Sequence, residues 1–158
     1  MRIAFLPIFA ALAIGAAAST ALAQPGSDTQ LNPPATGAQT PPVEQQLVSV
    51  WNPETCGFTN TAALTVSAPT RLTRLDLWYK WNPDETQVAY TLVSNGQTVF
   101  SGSLQRAECD AYQTSWCVAR DTPNVDLAAG SYQVQVGREA ICQNTASQGA
   151  GFIKAFGE

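Results

Sequence analysis

The sequence predicts an all-β protein, an antiparallel β-sandwich of jelly-roll or immunoglobulin-like type with about seven or eight strands and two disulfides. Three observations lead there. Apolar and polar residues alternate in short runs, which is the period of a strand with one buried face. Turn residues separate these runs, and no stretch keeps a helical period. Cys56, Cys109, Cys117 and Cys142 form an even set, as expected of an exported domain stapled by disulfides.

The elements follow in chain order. Leu64 and Val66 alternate with Thr65 and Ser67. Leu75, Leu77, Tyr79 and Trp81 alternate with Arg74, Asp76, Trp78 and Lys80. Val88, Tyr90 and Leu92 continue the pattern, and Asn95-Gly96 then fits a two-residue type I′ turn, whose central positions both need positive φ. That turn pairs Ser94 with Gln97, and so Leu92 with Val99 and Tyr90 with Ser101; it leaves open whether Phe100 lies on a wet or a covered face. Tyr132, Val134 and Val136 alternate with Ser131, Gln133 and Gln135, and residues 152–156 read as a last strand.

Four cysteines allow three connectivities. Cys109 and Cys117 flank a short polar and aromatic loop and are expected to pair locally, which leaves Cys56 with Cys142. In the chain-entropy description the short bridge contributes ~2.5 kcal/mol and the long one ~4.5 kcal/mol. A zinc site made of the same four residues would lack any C-x2-C spacing.

The N-terminus reads as an address. Arg2 precedes an uncharged apolar run from Ile3 to Ala18, and Ala21-Leu22-Ala23 is an A-x-A cleavage box. Residues 1–23 are therefore expected to be a signal peptide, too short in its apolar run for the ~20 residues of a spanning helix. Residues 24–46, which hold Pro25, Pro33, Pro34, Pro41 and Pro42, are expected to be a disordered Pro-rich linker. Residues 47–158 form the folded domain. The expected location is periplasmic or extracellular, with no membrane insertion of the mature chain.

Composition narrows the chemistry. Charged residues are 13% of the chain, against a usual share of about 25%. Acids outnumber bases 12 to 8, which argues against nucleic acid as a partner. There is no histidine, so Ser-His-Asp and Cys-His catalysis and His-ligated metals are excluded.

The stretch Val125-Asp126-Leu127-Ala128-Ala129-Gly130-Ser131-Tyr132-Gln133-Val134-Gln135-Val136 resembles the late strand of bacterial pre-peptidase C-terminal domains, secreted β-sandwich modules appended to exported enzymes. The Asn95-Gly96 hairpin is similar to that family's layout as well. The resemblance implies a sandwich fold and a non-catalytic accessory role. The chain departs from the pattern where Asp84-Glu85-Thr86-Gln87-Val88 replaces an Asp-x-Asp-Leu-type motif, and in its four cysteines.

Candidate ligand-binding residues come from the aromatics. Trp78 falls on the polar side of its strand, between Asp76 and Lys80. Tyr112 and Trp116 sit in the loop pinned by Cys109 and Cys117, beside Asp110 and Gln113; a pinned loop loses little entropy on binding. The phrase Trp51-Asn52-Pro53-Glu54-Thr55 recurs as Trp81-Asn82-Pro83-Asp84-Glu85-Thr86. Were the two turns to meet, Glu54, Asp84 and Glu85 would approach a calcium shell, though unrelated turns of common chemistry are the favoured reading. The loop after Cys142, residues 143–151, is small, polar and expected to be flexible; it could border a binding surface, and its simpler reading is a wide hairpin or crossover between the last two strands. No carboxylate pair or serine motif points to catalysis.

The expectation is thus an exported, non-enzymatic binding module without cofactor or metal. It would recognise a glycan or an envelope protein through Trp78, Asp110, Tyr112, Gln113 and Trp116. The alternative is a structural or assembly module of the cell envelope that lacks a soluble ligand. The oligomeric state is left open.

Overall fold

A computed structural model describes residues 43–158. The expected signal peptide and residues 24–42 of the expected linker lie outside the described residues. All described residues belong to one unit, residues 40–158.

The chain forms eleven strands: β1 (Gln45–Ser49), β2 (Gly57–Thr59), β3 (Thr61–Val66), β4 (Thr70–Lys80), β5 (Gln87–Ser94), β6 (Gln97–Cys109), β7 (Trp116–Asp121), β8 (Val125–Leu127), β9 (Gly130–Val136), β10 (Ile141–Gln143) and β11 (Ile153–Gly157). Every pairing between them is antiparallel. The main path runs β1-β11-β4-β7-β6-β5-β9-β3, with β8 and β10 added along β4 and β2 added to β10. The three strands off the path are the three-residue ones, whose sequences are too short to show alternation. At the two ends of the path, β1 and β3 approach within 8 Å between Cα atoms, so the sheet curls towards closure. No helix of the described residues is long and apolar enough to cross a membrane.

The inward face carries the expected apolar set. Leu64 and Val66 of β3, Leu75, Leu77 and Tyr79 of β4, Tyr90 and Leu92 of β5, and Tyr132, Val134 and Val136 of β9 are all buried in one cluster. Trp81 joins them at 2% exposure. Tyr132 also satisfies its hydroxyl, which donates to the Ala128 carbonyl at 2.8 Å. Both expected disulfides are present, Cys56–Cys142 and Cys109–Cys117. Cys109 and Cys117 face each other across the β6–β7 ladder.

The structure alters two expectations. β1 begins at Gln45, and Gln45 and Gln46 pair with Gly157 and Phe156, so the last part of the expected linker is strand. The Asn95-Gly96 turn has the required positive φ of 51° and 75°, and Ser94 does pair with Gln97. Beyond it the register departs from the sequence reading. A bulge between Leu92 and Val93 pairs Leu92 with Phe100 and Tyr90 with Gly102, in place of Val99 and Ser101. The physical reason lies in the side chains. The extra residue in β6 leaves Val99 outside at 47% exposure and brings Phe100 against the core, its ring 6.0 Å from that of Tyr90. A bulge re-aims a side chain in this way. A second irregularity lies in β4, where Gly157 pairs with Leu72 and Phe156 with Arg74. It lets both Leu72 and Leu75 point inward although their numbers differ in parity.

Candidate functional site

β4 is the spine of the site. It pairs with β7 on one side and with β11 and β10 on the other. Because Leu75, Leu77 and Tyr79 point into the core, Asp76, Trp78 and Lys80 must share the outer face. Trp116 opens β7 directly opposite Lys80, which places it diagonally from Trp78. Trp51 follows β1, where the Val50 amide donates to the Ile153 carbonyl at 2.8 Å. Phe58 lies in β2, opposite Cys142.

These four rings form a continuous row. Trp51 and Trp78 have centroids 5.4 Å apart at an interplanar angle of 49°. Trp78 and Trp116 follow at 6.2 Å and 14°, then Trp116 and Phe58 at 5.7 Å and 6°. A lysine stands at each end: Lys154 Nζ is 4.5 Å from the Trp51 centroid, and Lys80 Nζ is 5.3 Å from that of Phe58. The row lies along an open cleft of about 840 Å³. Its remaining wall includes Glu54, Asp110 and Gln113. Neighbouring aromatic pairs of this kind contribute about 0.5–1.5 kcal/mol beyond burial, so the row is also part of what holds its elements together.

Two loops present the cleft, and both are pinned. The 110–116 loop is closed by the Cys109–Cys117 bridge. The Asp110 carboxylate accepts the amides of Tyr112 and Gln113, each at 2.8 Å. The Trp116 amide donates to the Gln113 carbonyl at 2.8 Å, and Arg106 Nη2 reaches the Thr114 carbonyl at 2.7 Å. The other loop, residues 51–56, ends at the Cys56–Cys142 bridge. Asn52 makes a reciprocal amide pair with Asn144: Asn144 Nδ2 donates to Asn52 Oδ1 at 2.7 Å, and Asn52 Nδ2 donates back at 3.2 Å. Asn144 in turn exchanges three hydrogen bonds with Ser147. The 143–151 segment, expected to be flexible, is thus a hydrogen-bonded turn that buttresses the cleft wall.

An ion network occupies the adjoining part of the same outer face. Asp76, 5% exposed, accepts two hydrogen bonds from Arg120, at 2.7 and 3.0 Å. Arg120 also bonds Glu108 at 2.9 Å. The Glu108 carboxyl is held below its ordinary value, first by its own backbone amide and then by Arg120. Arg74 reaches Glu44 at 3.3 Å and lies over the Phe156 ring. Arg120 is satisfied by its two carboxylates, whereas Arg74 Nε, 3.8 Å from Asp76, is buried without a hydrogen-bond partner.

Of the five candidate residues, Trp78, Asp110, Gln113 and Trp116 line the cleft. Tyr112 does not: it stands on the same loop but is 97% exposed and lies off the cleft wall. Asp110 shapes its loop with one carboxylate oxygen, a role its neighbourhood in sequence did not announce. Trp51, Phe58, Lys80 and Lys154 were not singled out for binding. The recurring Trp-Asn-Pro phrase was the available signal for Trp51, but it treated Trp51 and Trp81 alike, and the structure puts one on the cleft and the other in the core. Among the described residues no cluster of three or more acidic or cysteine side chains could hold a metal ion. Glu85 instead pairs with Arg138 at 2.5 Å. No family model matches the chain, and neither the curated proteins nor the solved structures give a match.

Proposed function

We propose that this chain is an exported, non-catalytic module that binds a glycan along the aromatic cleft. The observation that carries the reading is the unbroken row Trp51–Trp78–Trp116–Phe58. Sugar rings stack their C–H faces on aromatic surfaces, and a row of rings offers successive platforms to a chain of sugars. The stacked Trp78, Trp116 and Phe58 rings form an apolar strip along the cleft that suits one extended ligand better than a compact one. Pinning of both presenting loops lowers the entropy lost on binding.

Export is supported by the two disulfides, which persist in oxidising compartments, and by the signal-like sequence of residues 1–23. The sandwich form belongs to the same proposal. It is supported by the eight-strand antiparallel path, by the Tyr132 hydroxyl bonded back to Ala128, as tyrosine corners are in sandwich folds, and by the resemblance to pre-peptidase C-terminal domains.

The test is tryptophan fluorescence of the oxidised protein, titrated with soluble polysaccharides and cell-wall fragments. A saturable shift is expected with at least one glycan. Phe58, 44% exposed, is the ring least committed to packing. Phe58→Ala should weaken that binding roughly tenfold, in line with about 1–3 kcal/mol for an aromatic stacking platform, while the thermal midpoint falls by only a few degrees, as loss of one aromatic pair predicts. Unchanged affinity in Phe58→Ala, or silence towards every glycan, counts against the reading and turns the search to an envelope protein partner.

A further inference from the structure

We infer that the glycan is acidic, a chain whose sugar units carry carboxylate groups; this rests on the glycan-binding reading above and narrows it. The observation is the placement of positive charge. The chain has two lysines, Lys80 and Lys154, and both stand at the cleft, one over each terminal ring of the aromatic row. Such coincidence stands out in a chain whose acids outnumber its bases 12 to 8.

The lysines differ from four of the five described arginines in how their charge is used; the fifth, Arg106, is held by the Thr114 carbonyl. Arg71 pairs with Asp126, Arg74 and Arg120 with Asp76, and Arg138 with Glu85. Among the described residues neither lysine forms an ion pair. Strand register sets Lys154 directly opposite Asp76, yet the Asp76 carboxylate is taken by Arg120 in a two-bond fork. Lys154 is left to rest on Trp51. Lys80 faces Trp116 in register and rests over Phe58. Two carboxylates also border the cleft. Asp110 spends one oxygen on two loop amides, and Glu54 sits on the exposed turn after Asn52. Neither is placed on the ring row itself.

An ammonium over an exposed ring gains only about 0.5–1 kcal/mol, and it rides on a flexible four-carbon stem. It can therefore leave the ring face for a ligand carboxylate as a sugar takes the ring. A sugar chain lying on Trp78 and Trp116 has a cation waiting at either end, and carboxylates along its edge would meet them. A neutral chain would use the rings and leave both charges unanswered.

The experiment is calorimetric titration of the oxidised protein with mannuronate, galacturonate and glucuronate oligosaccharides, each beside its carboxyl-reduced neutral form. For at least one pair the acidic member should bind roughly tenfold or more tightly, with the advantage shrinking as salt is raised. Lys80→Gln with Lys154→Gln should bring the acidic member down to the neutral one. Lys80→Arg with Lys154→Arg should keep the preference, which separates charge from misfolding. Equal affinity within every pair, or a preference that survives the glutamine variant, overturns the acidic assignment and leaves glycan binding standing. Absence of binding by both members of every pair, alongside a saturable response to some other neutral polysaccharide, also overturns only the acidic assignment. Absence of binding by every glycan removes both readings.

Discussion

Trp78 and Tyr79 are neighbours in sequence and opposites in role. Alternation along β4 turns Tyr79 to the core and Trp78 to the cleft, and that division was legible from residues 74–81 alone. What alternation does not show is who stands beside Trp78. Trp51 arrives from the turn after β1 and Phe58 from β2, and lateral adjacency depends on strand order, which a single chain's pattern leaves open. Tyr79 carries a buried hydroxyl with no hydrogen-bond partner, and its burial pushes the phenol above its ordinary value. An unpaired buried polar group costs about 1–3 kcal/mol. Tyr79→Phe should therefore raise the thermal midpoint or leave it unchanged, with calorimetry as the check. A clear fall would mean that the hydroxyl is bonded.

At the scale of elements, the cleft is held by bonds between segments distant in sequence. Cys56–Cys142 and Asn52–Asn144 tie the turn after β1 to β10 and to the segment that follows it. The cysteine pairing was within reach of sequence because local pairing of Cys109 and Cys117 leaves only one other bridge. The Asn52–Asn144 pair was not, since asparagine in a turn has many local uses. The β5–β6 register shows the same limit: Asn95-Gly96 specified the turn, but the bulge beside it answers to packing of Phe100 on Tyr90. Asn144→Ala removes the amide pair together with the side-chain oxygen that accepts the Ser147 amide. It should cost about 1–3 kcal/mol in denaturant unfolding and loosen Trp51, weakening glycan binding as well. A variant with lost stability and intact binding would show that the amide pair does not position the cleft.

At the scale of the whole molecule, four of the five described arginines pair with carboxylates, and this shapes its response to acid. Glu108 and Asp126 are both held below their ordinary values, Glu108 by its own amide and Arg120, Asp126 by Arg71. A carboxylate depressed in the folded state contributes stability above its unfolded value, about 3.9–4.3, and that contribution is lost as pH falls through the folded value. The midpoint should thus be flat between about pH 6 and 8 and decline below about pH 4. With no histidine in the chain, no step is expected near pH 6.5. A thermal scan series across pH settles it, and a transition near pH 6.5 would contradict it.

The most direct trial of the cleft as the working surface uses the four tryptophans as separate reporters. Three line the cleft, Trp51, Trp78 and Trp116, and the fourth, Trp81, is buried at 2% exposure. In a heteronuclear NMR titration with a bound glycan, the indole N–H signals of the three should move together and saturate at one affinity while that of Trp81 stays still. Binding that leaves those three signals in place, or that moves Trp81 alone, would put the ligand elsewhere and contradict the account.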